Sequence, residues 1–171
     1  APCPARGNRR LLSDLAELLD AAQLPGDRHL SADELAAAAR FVQAAAEKRN
    51  PRTTALAVES VAGPVAQRQT RIAVINEDMP FLVDSIAATL TAHGVSIDRL
   101  VHPVAAAKRS AEGMLAAVGD QAGAAAPRES LIYIEAERVD ARNRAALRKA
   151  LTATLTDVRT AVADWPKMQA A

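Results

Sequence analysis

The stretch "RIAVINEDMPFLVDSIAATLTAHGVSIDRLVHPV", residues 71–104, decides how this chain folds. Near its start, Ile72 and Val74 fall on one face of a strand over residues 70–75 and Ala73 and Ile75 on the other. A strand apolar on both faces is expected at the centre of a sheet. The acidic turn Asn76-Glu77-Asp78 follows, and then a helix from about Pro80 to His93 that turns Val83, Ile86, Ala87 and Leu90 inward. Gly94 supplies the left-handed residue that ends it. Val95 to about Ala107 reads as extended, with Pro103 implying a sheet edge or a bulge. The turn admits two readings. In the first, Asp78 caps the helix, its carboxylate accepting from free amides, with Met79-Pro80 in the first turn. In the second, the same amides hold a ligand's carboxylate. Glu77 and Asp78 oppose an anion there and suit an ammonium group instead, so the cap is the preferred reading.

On the N-terminal side, residues 54–61 ("TALAVESV") alternate as a strand that Gly63-Pro64 stops. Before it, residues 9–23 place leucines at helical spacing and Pro25-Gly26 breaks the pattern. Ser31-Ala32-Asp33-Glu34 is a capping box opening a second helix, which ends before Asn50-Pro51. Residues 1–52 therefore form a helical hairpin expected to pack on the rest, because isolated helices of this length are marginal. On the C-terminal side, "KRSAEG" reads as a hairpin turn, "MLAAV" as a short returning strand and "GDQAGAAAPRE" as a loop. "LIYIEAE", residues 131–137, is a strand. Asp140 then caps a helix whose Leu147, Leu151, Leu155, Val158, Val162 and Trp165 form a stripe, closed by Pro166. From Arg71 the order is strand, helix, strand, strand, helix. That is an α+β, ferredoxin-like βαββα sandwich with an antiparallel sheet, over residues 53–171, lacking the last strand of the split βαβ unit. Either the strand at 54–61 fills the vacancy or a longer protein supplies it.

Composition narrows the function. Half of the 171 residues are apolar, mostly alanine, so packing rests on a few faces of Leu, Ile and Val. A net charge of +1 with interspersed signs lacks the basic stripe that nucleic acid demands, and Arg6 to Arg10 reads as a frayed end. Tyr133 alone among the strand aromatics cannot build a base-stacking surface. The lone Cys3 excludes a disulfide framework. No run is apolar enough for a membrane span, and the chain reads as cytoplasmic. His29, His93 and His102 are scattered, none at i, i+4 from another ligand type, which argues against a metal site, and His93 beside Gly94 suits a helix C-terminus. No glycine-rich phosphate loop occurs. An acylphosphatase on this topology would need a phosphate-cradling loop, which the acidic turn opposes.

"INEDMPFLVDSIAATLTAHGVSIDRLVHPV", with "ESLIYIEAERV" and "LTDVRTAVADWPKM", resembles the N-terminal region of the large bacterial NAD-specific glutamate dehydrogenases, over about residues 31–168. The resemblance implies an ACT-like regulatory domain behind a helical segment, within a longer enzyme that deaminates L-glutamate to 2-oxoglutarate with NAD as cofactor. It implies that this portion binds no NAD and no metal and holds no catalytic residue. The expected partners are other domains and subunits of the same enzyme in a homo-oligomer, with an amino-acid effector as a further candidate and neither nucleic acid nor membrane. The candidate interface or effector turn comprises Asn76, Glu77, Asp78, Met79, Pro80, Phe81, Asp84, Ser85 and His102. Effector-binding ACT domains carry glycine where Phe81 stands, so the phenyl ring is expected to plug the pocket or pack on a neighbouring domain. A free-standing ACT-like amino-acid sensor that dimerises is the alternative.

Overall fold

The computed structural model describes residues 6–62 and 67–169. Among these residues, six strands form one antiparallel sheet between two pairs of helices. The chain enters through α1 (Arg6–Ala21) and α2 (Ala32–Ala46), then β1 (Ala55–Ala62) and β2 (Arg68–Glu77). Helix α3 (Leu82–Ala92) leads to β3 (Ile97–Val101), β4 (Val104–Arg109) and β5 (Leu115–Val118). A short 3-10 turn at Gly119–Ala122 precedes β6 (Arg128–Ala136) and the long α4 (Ala141–Gln169).

The strand order is β1-β2-β6-β4-β5, with β3 also paired to β6. Strands β3 and β4 are two halves of one path along β6, interrupted at His102-Pro103. There the Leu131 amide donates to the Pro103 carbonyl, so the ring that cannot donate sits where only an acceptor is needed. Strand β1 runs antiparallel to β2, Ala55 opposite Ile75 through Ala62 opposite Arg68. It occupies the edge that the missing last strand of a split βαβ unit would take, which resolves that vacancy from the N-terminal side. The proposed stop at Gly63-Pro64 lies outside the described residues.

The pleat of β2 and β6 divides the core. Ile72, Val74, Ile132, Ile134 and Ala136 face α3 and α4, meeting Ile86, Leu90, Leu151 and Leu155. Ala73, Ile75, Leu131 and Tyr133 face the helical hairpin, meeting Leu15, Leu19, Ala38, Ala39 and Val42. Both faces of the central strands are therefore dry, as their doubly apolar sequence requires. The small alanines of α2 let that helix lie close to the sheet, where the Phe41 ring meets Tyr133 edge-on at 6.3 Å.

Local signals hold at most element ends. Ser31 and Glu34 form the reciprocal capping box, Gly94 (φ +68°) follows α3, and Asp140 accepts from the Asn143 amide at the start of α4. The β4–β5 hairpin turns through Gly113 at φ +85°, where an added Cβ would meet the Arg49 carbonyl at 2.6 Å. Three expectations are corrected. Arg6–Arg10 are the first residues of α1 rather than a frayed end. Pro166 does not close α4, which continues to Gln169; a proline so near the helix end removes a rung where little depends on it. Trp165 leaves the apolar stripe and stands 52% exposed, because the buried stripe stops at Val158.

Candidate functional site

The acidic turn lies where β2 ends, beside the start of β6 and the break between β3 and β4. Asn76 is buried, and its side-chain oxygen accepts from the Thr54 hydroxyl (2.8 Å) and from the Arg159 guanidinium. Its amide nitrogen donates to the Glu77 carbonyl (2.9 Å). The Glu77 carboxylate accepts from the Arg52 amide (2.8 Å) and pairs with Arg49 (3.5 Å) and Arg159 (3.4 Å). Burial pushes this carboxyl upward, but the Arg52 amide, Arg159 and Arg49 outweigh it and hold the group below its ordinary value. Glu77 thus fastens α4 and the α2–β1 connection to the sheet.

Asp78 does not cap the helix, contrary to the expectation. Its amide donates to the Arg128 carbonyl (3.1 Å), and its carboxylate accepts from Ser130 (3.2 Å). Pairing of the Asp78 amide extends the ladder past Glu77 and leaves the chain three more residues to reach α3. The residue preceding the helix is Phe81, with no side-chain cap bond. Met79 packs on the α3–α4 core, Pro80 and Asp84 are exposed, and Ser85 belongs to the first turns, its amide donating to the Phe81 carbonyl (3.1 Å).

His102 is drawn in from the β3–β4 break, its Nε2 3.0 Å from the Ser130 hydroxyl. Serine, histidine and aspartate therefore meet, but in the wrong order for nucleophile activation. The single hydroxyl proton of Ser130 goes to Asp78, so its oxygen accepts from Nε2–H of the histidine. The imidazole has no lone pair toward the serine and cannot act as its base. Burial lowers the His102 pKa, an effect the Asp78 carboxylate partly offsets. Ser130 is itself fully buried.

Phe81 adopts φ +71°, the left-handed conformation that glycine takes freely and a phenylalanine takes at a cost of roughly 1–2 kcal/mol. Its ring is 58% exposed and plugs no pocket, which corrects the first of its two expected roles. Instead it borders a shallow apolar depression of about 460 Å³ between α3 and α4, with Ala88, Val158 and Ala161.

Sequence reasoning missed the charged centre behind the turn. Glu129, buried at the start of β6, accepts from Arg109 of β4 (2.7 and 3.0 Å) and from Arg49 after α2. Arg109 also donates to the Ala46 and Gly113 carbonyls. Burial raises the Glu129 pKa, but Arg109 and Arg49 outweigh it and keep the carboxyl below its usual value. The partners lie 20 and 80 residues away, so no local spacing announces them. Glu129 also ends the stretch that the sequence reads as a loop, whereas β6 begins at Arg128, so nothing marked it for burial. No cluster of metal-ligating side chains occurs among the described residues. No described helix is long and apolar enough to cross a membrane.

Comparison with known proteins matches the model of the glutamate dehydrogenase ACT1 domain over residues 17–151. The NAD-specific glutamate dehydrogenase of Pseudomonas aeruginosa is 40% identical over 105 residues, and that of Halomonas elongata 42% over 106. Each match covers 59% of this chain and 6% of the relative, so the chain corresponds to a small part of those enzymes. No solved structure matches. With the family model spanning most of its length, the chain belongs to the glutamate dehydrogenase ACT1-domain family.

Proposed function

We propose that this chain is the non-catalytic assembly and regulatory module of an NAD-dependent glutamate dehydrogenase that oxidatively deaminates L-glutamate. Support comes from the family and from the names of the two relatives. The observation that carries the reading is the state of the acidic turn. Its polar groups are spent on one another and on Arg49, Arg52 and Arg159, while Phe81 is held outward at a strained backbone. Strain retained at an exposed aromatic marks a position kept for contact. The partner is another domain or subunit of the same homo-oligomeric cytoplasmic enzyme, and NAD is bound outside this chain.

Strand β1 favours a second reading, the free-standing dimerising sensor of amino acids. Among the described residues it leaves one edge of the sheet unpaired along eight residues, a surface open to strand addition. The chain is incubated with L-glutamate and NAD while absorbance of NADH is followed. No NADH is expected; turnover would overturn the non-catalytic reading. Sedimentation of the chain alone separates the two readings, a stable dimer favouring the sensor and a monomer favouring the module.

A further inference from the structure

Helix α4 runs on past the elements that cover it. On its side toward α3, Leu151, Thr154, Val158, Ala161, Trp165 and Met168 follow one another by alternate steps of three and four residues. That is the heptad spacing of a seam built to receive a second helix. The first half of the seam is covered: Leu151 and Val158 are buried, and the Thr154 hydroxyl meets that of Thr89 in α3 at 2.7 Å. The second half keeps the same register but is bare, with Trp165 52% and Met168 66% exposed. From Val158 to Met168 it spans about 15 Å of helix and about 80° of its circumference.

The bare half is continuous with the Phe81 corner. Val158 and Ala161 share the shallow depression of about 460 Å³ with Phe81 and Ala88, and the two alanines keep its floor low. Five large apolar side chains are exposed among the described residues, and Phe81, Trp165 and Met168 are three of them. Single exposed apolar residues are ordinary, whereas a contiguous row of them marks a contact surface.

Charge selects what covers it. Asp84 and Asp157 line the depression, and no cation does. Neither carboxylate joins an ion pair among the described residues. Asp84 lies in the first turn of α3, where a negative charge suits the helix dipole, but Asp157 has no such local reason. Asp157 and Asp164 each stand one residue before a seam position, Val158 and Trp165, the flank from which a seam chooses its partner's charge. Asp164 already meets Lys167 at 3.0 Å, an exposed pair of little strength. In an antiparallel pair of α4 helices the two aspartates would face their own copies, so charge opposes a second copy of this chain as the cover.

We infer that the C-terminal half of α4 seats a helix from another domain or subunit of the enzyme, apolar along a heptad seam and carrying lysine or arginine on the flank that meets Asp84 and Asp157. This rests on the docking role proposed for the Phe81 corner and names the chemistry of what docks there. Trp165 and Met168 supply the large side chains that dominate such contacts, and the outward Phe81 ring bounds the seat at its inner end.

The test places the photo-reactive p-benzoylphenylalanine at Trp165 of the complete purified enzyme, an exchange of one exposed aromatic for another. After irradiation and digestion, mass spectrometry identifies the cross-linked peptide. The expected peptide comes from outside this chain and has apolar residues at heptad spacing flanked by lysine or arginine. Asp157→Lys, at an exposed position, is expected to lower the cross-link yield about threefold and to leave the melting transition of the isolated chain unchanged. A cross-link to α4 of a second copy, to a segment without that pattern, or with a yield indifferent to Asp157→Lys would overturn the inference and leave the docking role standing. No cross-link at all would also overturn it, while the docking role is judged separately by sedimentation of Phe81→Asp.

Discussion

Phe81 shows how a single backbone angle separates stability from use. At φ +71° it holds a conformation suited to glycine, and its exposed ring recovers little by burial. Phe81→Gly relieves roughly 1–2 kcal/mol of strain, offset by about 0.5–1 kcal/mol of added chain entropy when unfolded. The thermal midpoint of the chain is therefore expected to hold or rise, which differential scanning calorimetry checks. His102 makes a different prediction. Burial holds its folded pKa below 6.5, so the unfolded chain takes up the proton first as pH falls. The site's contribution is whole above that value and is lost as pH falls through the lower folded one. His102→Gln can still donate to Ser130 but does not titrate. Urea midpoints between about pH 7 and 5 should fall less steeply in the variant than in the parent chain.

The elements were legible wherever a local rule governs them. The doubly apolar β2, the Ser31 capping box, Gly94 after α3 and the β4–β5 hairpin each follow from neighbours in sequence. The helix start at Phe81 was not, because Asp78 is claimed by the sheet: its amide bonds Arg128 and its carboxylate Ser130. Tertiary pairing overrode a capping preference worth about 1 kcal/mol. Trp165 was misplaced because helical spacing continues past the point where the sheet ends and there is nothing left to pack on. Least visible was Glu129, whose carboxylate joins β6 to β4 and to the end of α2. Removing one member of such a buried set strands the others. Glu129→Gln is expected to cost about 3–5 kcal/mol in urea unfolding at neutral pH, more than any single surface pair. Because its folded pKa is lowered, the parent chain's share of that stability persists above the ordinary value of 4.5 and disappears as pH falls through the folded one. A variant losing under about 1 kcal/mol would show that the set does not hold the layers together.

At the scale of the molecule, helical hairpin and βαββα unit share one sheet, the hairpin covering the face that a bare two-layer sandwich would leave wet. The element order was enough to read the split βαβ arrangement, and the motif string was enough to read the family. What order alone left open, the filling of the vacant edge by β1, depends on a register that appears only once β2 is fixed. The connection between β2 and α3 was legible as a turn, but the partners of its side chains were not, since Ser130, Arg49 and Arg159 reach it from distant segments.

The assembly role is tested most directly by sedimentation velocity of the complete enzyme carrying Phe81→Asp, beside calorimetry of the same variant in the isolated chain. An unchanged melting transition in the chain, with smaller assemblies or altered kinetics in the enzyme, is the expected result. A fully folded variant enzyme that sediments and turns over like the parent would contradict a docking role for this corner.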